Sequence, residues 1–553
     1  MLHSEFMLSQ RPRVANARAA KDWIRELPLT DARAAHHAIV TLLDEFDENG
    51  VAARDRLEIL ETVRPQRIAT DAQYAQRYAG KALPLAEVER KAFAHSCALW
   101  QKIEDAYWYC ARAAAAGEPE LRPHLTLCLA RAADAACERI MGTLRAGQTL
   151  DGTIQASVAR YAVFAREHGV LGAGVPDSEH PKRIVSVASV QNRALLIALT
   201  GGTVAGRERE CAFDLATCWE SKVLVTWLPS GLTRALTRAD LPPSKEPAKQ
   251  RVRIVHSGGQ VYFLDVTALS RSLRKRVHLL GLGQDIDGMG LPASFPRAGA
   301  AKLLTRLHGA WCDEEYGRRH PRSTPAAAPG LSASVAVAPV VDNFDAMYCM
   351  LGGEPFAAND DNDATSRQRF DEMFVFQGAG HMRRDKQLRD AQQHIEQWRM
   401  VDHSAMGARL ARSGSGARYR AGNLVAFRAT ARGADTTAQL AQVRWCVERQ
   451  PIAGGTGATD AATLEAGLEV LAHAPTGIAI RLTGLNAAGT HKWTAAFRIE
   501  GGTGAYQLLT PGGWHKPGRV IEVREGKQVS RWLLGPLKRR GTDFELIEAA
   551  PTV

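Results

Sequence analysis

The spacing of apolar residues changes along the chain, and that change limits the fold more than any other feature. In the first third the spacing is helical. Ala35, Ile39, Leu42, Leu43 and Phe46 form one face behind an N-cap at Asp31, and Asn49-Gly50 ends the run. A second helix carries Leu57, Leu60 and Val63, with Pro65 expected to stop it. A longer helix is expected from about Leu85 to Ala116, broken by Gly117-Glu118-Pro119, with further helices over 121–146 and 152–168. Helix after helix with short connections predicts an α-helical bundle over residues 1–175. After residue 398 the period drops to two. WRMVD, GARLAR, NLVAFRA, AQVRWCVE, LEAGLEVL and GIAIRL read as short strands separated by Gly/Asn/Asp turns, the pattern of a small antiparallel barrel.

Between these regions, residues 176–311 are mixed α/β. Helices are expected near 190–200, 207–220, 268–280 and 298–312, with a hairpin over VRIVHSGGQVYFLDV (252–266). SVAVAPVV (334–341) is a strand, Asn343–Leu351 a helix, AANDDNDATSR (357–367) a solvated loop, and 384–396 a helix. Short strands at 493–500, 505–510, 518–523, 529–534 and 543–547 carry sheet to the C-terminus. The expected class is multidomain α+β: a helical domain (1–175), a mixed middle region (176–311), a six-stranded antiparallel barrel with an insertion at about 342–395 (312–485), and a β extension (486–553).

The 553 residues carry a formal charge of +11, and of 70 basic residues 55 are Arg and 15 Lys. Guanidinium forks suit phosphates and guanine edges, but an Arg- and Ala-rich genome produces the same bias. No apolar run reaches the roughly 18 residues of a membrane helix, and the opening MLHSEFMLSQRPRVANARAAKDW lacks the apolar core of a signal peptide. Nine scattered cysteines, with no CxxC pair, fit reduced thiols in a cytoplasmic protein.

Several familiar motifs fail. Glu45–Arg56 mimics a calcium loop, but Arg56 stands where the bidentate Glu belongs. Gly281, Gly283 and Gly288 miss dinucleotide spacing, and there is no GxxxxGK[ST] loop. GGEPF (352–356) has Pro355 where a cyclase signature needs an acid. No histidine pairs locally with a nucleophile and a carboxylate, so no enzyme is expected.

Two clusters stand apart. Arg318-Arg319-His320-Pro321-Arg322 is an RxxxR arrangement ahead of the strand-rich section, and Asp402-His403-Ser404-Ala405-Met406-Gly407 is a DxSxxG arrangement following the Trp398–Val401 strand. Together they suit a guanine nucleotide with phosphodiesters. Arginine forks grip guanine O6 and N7 or phosphate oxygens. Asp402 can accept from guanine N1 and N2, Ser404 can donate to phosphate, and Gly407 permits close backbone approach.

On these residues the sequence resembles the PilZ domain, the bacterial cyclic di-GMP receptor module. The resemblance implies a six-stranded barrel, no cofactor, and cyclic di-GMP as ligand. It places ligand contacts on Arg318 and Arg322 (with Arg319 as helper) and on Asp402, Ser404 and Gly407. Arg322 and Asp402 lie 80 residues apart, more than the few tens of a compact PilZ domain, hence the insertion. If 318–322 is instead a linker, Arg383, Arg384 or Arg389 remain as sources of the arginines. The expected protein is a non-catalytic receptor that signals through its helical domains to an unidentified protein partner. The alternative is a scaffold whose barrel has lost the nucleotide. Nucleic-acid binding has only the charge and Lys538-Arg539-Arg540 behind it, with no aromatic-basic motif.

Overall fold

The structure is a computed structural model. It describes residues 14–48, 50–150, 152–177, 183–201, 204–227, 252–257, 260–313, 323–324, 331–339, 344–351, 393–413, 416–431, 438–449, 462–483, 485–486, 489–490, 493–500, 506–526 and 528–552. Chain contacts divide it into two compact units, Met1–Lys81 with Leu85–Arg318, and Ala82–Pro84 with Arg319–Val553.

The first unit begins with helices α1 (Ala17–Glu26), α2 (Ala32–Glu48), α3 (Ala53–Ala75), α4 (Glu87–Ala115), α5 (Leu125–Arg145) and α6 (Gly152–Glu167). Strands β1 (Val175–Pro176) and β2 (Ile184–Val185) pair and lead to α7 (Val187–Thr200) and α8 (Arg207–Trp219). A sheet in the order β3-β5-β4 follows, made of β3 (Leu224–Trp227), β4 (Val252–Ser257) and β5 (Gln260–Asp265). Helices α9 (Thr267–Gly281) and α10 (Ala300–Cys312) complete the unit. One continuous apolar core runs from Val14 to Cys312, so the helical and mixed regions share an interior. Trp311 of α10, fully buried, donates its indole N–H to the Leu196 carbonyl of α7 at 2.9 Å.

Pro65 does not end its helix. It lies inside α3, which continues to Ala75. A proline ring removes one ladder hydrogen bond and crowds the preceding turn, a cost of about 3 kcal/mol or more. Burial outweighs it here, with Leu57, Leu60, Val63, Arg64, Arg67 and Tyr74 all inside the unit. The calcium-like segment is a helix end: Gly50 has φ +62°, and buried Arg56 donates to the Phe46 carbonyl at 2.8 Å.

The second unit holds β6 (Leu331–Pro339), α11 (Phe344–Met350), β7 (Glu396–Ser404), β8 (Gly407–Ser413), β9 (Leu424–Ala431), β10 (Gln439–Arg449) and β11 (Thr463–Ala472). It continues with β12 (Thr476–Leu482), the small β13 (Leu485–Asn486) and β14 (Gly489–Thr490) pair, then β15 (Thr494–Glu500), β16 (Tyr506–Pro511), β17 (Val520–Glu525), β18 (Gln528–Arg540) and β19 (Phe544–Pro551). Two closed antiparallel barrels result, β10-β11-β8-β7-β6-β9 and β12-β15-β16-β19-β18-β17. Numbered from first to sixth in chain order, the strands of both barrels follow the same ring, 1-2-3-6-5-4.

The strands expected as a C-terminal extension therefore close a barrel of their own. GIAIRL, which the sequence places in the first barrel, is β12 and pairs with β15 and β17 of the second. Strand pattern alone does not say where a ring closes, because closure depends on long-range register. The barrels share an apolar seam in which Leu424, Leu440 and Ala472 meet Phe497, Leu509 and Phe544, with Met347 and Tyr348 of α11 among them. Asp543 crosses the seam, accepting from Asn423 at 2.8 Å and from the Leu424 amide at 2.9 Å. The acidic loop 357–367, residues 384–392 of the helix expected at 384–396, and Arg383, Arg384 and Arg389 lie outside the described residues, and Glu396, the expected end of that helix, already belongs to β7.

Candidate functional site

The DxSxxG residues form the hairpin that joins β7 to β8. Ser404 pairs with Gly407 across a two-residue turn, and Asp402 pairs with Arg409 after a register shift at Val401. Leu410 and Ala408 are buried in the first barrel, so by strand alternation Arg409 and Gly407 face outward. Their partners Asp402 and Ser404 share that outer face, whereas His403, opposite Ala408, lies on the inner side.

Electrostatics on this face centre on Arg409, which the sequence reading missed. Its guanidinium donates twice to Glu465 of β11, from Nη2 at 2.6 Å and Nε at 3.2 Å. It stands 4.0 Å from the Asp402 carboxylate. Glu465 is also held by Arg449 at 2.7 Å. The Ser404 hydroxyl donates to the Gly407 carbonyl at 3.4 Å, a long bond that a better acceptor would displace.

Gly407 has a packing reason for its identity. A Cβ there would lie 2.4 Å from the Leu468 carbonyl oxygen of β11. A second glycine, Gly467, is the cross-strand partner of Trp445 and also of Arg409. A Cβ at Gly467 would fall 2.2 Å from the Trp445 indole nitrogen, so the half-buried ring is laid over it. An aromatic face, a guanidinium and a carboxylate thus share one row of the outer surface. Such a set can in chemical terms stack a planar ring and hydrogen-bond its polar edge. The register needed to find Trp445 and Arg409 was not legible locally, although Arg409 lies only two residues past the motif.

Arg318, Arg319 and Arg322 lie outside the described residues. The residue after them does not. Ser323 pairs with His403 in the middle of the second motif: the Ser323 amide donates to the His403 carbonyl at 2.9 Å, and the His403 amide returns a bond at 3.0 Å. Among the described residues, no group of three or more His, Cys, Asp or Glu is placed to hold a metal, and no helix is long and apolar enough to cross a membrane.

Residues 18–229 are similar to a protein family described as the N-terminal domain of the cyclic-di-GMP receptor FimW. That match supports a cyclic di-GMP receptor family, and it stops short of both barrels. No curated protein and no solved structure matches the chain.

Proposed function

We propose that this chain is a non-catalytic cyclic di-GMP receptor that binds the dinucleotide on the outer face of its first, PilZ-like barrel. The observation that supports the reading is the Ser323–His403 pairing, which sets the residue following the arginine motif in sequence one strand spacing from His403, the residue between Asp402 and Ser404. Arg318 and Arg322, helped by Arg319, grip phosphate and guanine. Asp402 accepts from a guanine edge, Ser404 donates to phosphate, and Gly407 fixes the hairpin. Trp445 supplies a stacking surface. Ligand binding then shifts the chain between two states, and the first unit carries the change to a protein partner. Coupling is limited to the ligand's differential affinity for the two states.

Calorimetric titration of the purified chain with cyclic di-GMP tests this. Arg322→Ala is expected to weaken binding by about 2–3 kcal/mol through the loss of charge-assisted bonds to an anion. Asp402→Ala lowers the preference for cyclic di-GMP over cyclic di-AMP. Unchanged affinity in both variants removes the site from this face. One observation favours the scaffold reading: Arg409 is already engaged by Glu465, and Asp402 stands beside it, as in a structural ion-pair network. A wild-type chain that gives no heat while retaining a protein partner would establish that alternative.

A further inference from the structure

The second barrel repeats the strand ring of the first but not its site residues. Where the first barrel closes its second hairpin with the pairs Asp402–Arg409 and Ser404–Gly407, the second has Arg498–Leu508 and Glu500–Tyr506. Arg498 is engaged by Glu525 at 2.9 Å and lies 3.6 Å from Glu500. No duplicate of the nucleotide face exists at these positions. One part of the second barrel does reach the face on the first, however.

Glu469 of β11 is the cross-strand partner of Gly407. Its carboxylate is held from two sides, by Arg444 of β10 at 3.3 Å and by Arg539 of β18 at 3.0 Å. Arg539 also donates to Gln442 of β10 at 3.3 Å. Arg444 occupies the register shift between Val443 and Trp445, beside the ring described above. The three side chains are 41%, 31% and 30% exposed for Arg444, Glu469 and Arg539, so water and solutes reach them. Two guanidinia on one carboxylate leave a surplus positive charge beside a glycine that presents only backbone.

We propose that the two barrels build one composite site, in which Arg539 of the second barrel, together with Arg444, takes a phosphodiester of the dinucleotide in place of Glu469. This rests on the reading given under Proposed function. A ligand with two phosphodiesters carries two negative charges, and Glu469 is the anion that holds these arginines without it. A phosphate over Gly407 repels Glu469 and draws both guanidinia, whose long stems allow the shift without backbone movement. The second barrel is thereby committed to the first as part of the receptor, and its binding energy is linked to how the barrels are held together.

Opposite charge changes separate this role from simple adhesion between barrels. In calorimetric titrations of the full chain with cyclic di-GMP, Arg539→Gln is expected to raise Kd about tenfold, the equivalent of one charge-assisted contact. Glu469→Gln is expected to lower Kd, because it removes the competing anion and frees both arginines. A pure adhesive role predicts lower melting temperatures for both variants with wild-type Kd in each, and that result overturns the proposal. Weakened binding in both variants overturns it as well, since Glu469 would then be supporting the site and not competing for it. Absence of binding by the wild-type chain is the distinct result that rejects the receptor reading itself, and the composite site with it.

Discussion

Asp134→Ala lowers the stability of the first unit by about 3–5 kcal/mol, the scale of breaking a buried ion pair from one side. Asp134 of α5 accepts from Arg64 of α3 at 3.0 Å and from Arg193 of α7 at 2.5 Å, and both arginine side chains are 4% exposed. One carboxylate therefore pairs with two interior cations and joins three helices. Nearby, Arg67 is buried against the Trp100 ring at 4.7 Å, so a further cation already loads this interior. Although burial alone would raise the Asp134 carboxyl's pKa, the two guanidinia hold it well below the ordinary carboxylate range. Its folded pKa is thus depressed. The stability it contributes is present above the unfolded value near 4, and is lost as pH falls toward the folded value. Urea unfolding followed at 222 nm reads the effect, because α1–α10 all belong to the first unit. Asp134→Asn, which keeps shape and accepts one bond, should fall between wild type and Asp134→Ala at neutral pH. An unmoved midpoint in Asp134→Ala would mean that Arg64 and Arg193 find other partners inside the unit.

That network shows why the sequence yields some of this molecule and not the rest. Element type was legible because it depends on local spacing: the helical repeat of Ala35, Ile39, Leu42 and Phe46, and the two-residue alternation of the later strands. Pro65 was misread because a local rule met a non-local compensation, the burial of α3 on both sides of the proline. The second barrel was missed as a barrel because ring closure between β12 and β17 is a contact between strands about 40 residues apart. The candidate site divides in the same way. Asp402, Ser404 and Gly407 sit within six residues and announce themselves. Arg409 has meaning only through its register with Asp402, Trp445 only through Gly467, and Arg539 only through a carboxylate 70 residues earlier. Such pairings are set by three-dimensional register, which composition and periodicity do not encode.

Gly407→Ala is expected to abolish tight nucleotide binding and to destabilise the first barrel by about 1–3 kcal/mol, the range of overpacking in a filled interior. The added Cβ would meet the Leu468 carbonyl oxygen at 2.4 Å, and that oxygen belongs to a strand backbone that cannot swing aside. Relief requires β8 to part from β11 at the Gly407–Glu469 pair, which displaces the hairpin carrying Ser404 and Asp402. Gly512→Ala provides the control. A Cβ at Gly512 meets nothing within 4 Å, so that variant should melt and bind as wild type does. Thermal melts and calorimetric titration of the two variants decide the matter, and wild-type affinity in Gly407→Ala would place the ligand away from this hairpin. The same contact changes how the motif is to be weighed. The barrel needs a glycine at position 407 whether or not a nucleotide ever binds, so Gly407 is weak evidence for a ligand by itself. The strand register does not demand a carboxylate at 402 or a hydroxyl at 404 in that way. Those two residues, and the pairing of Ser323 with His403 between them, carry the functional argument.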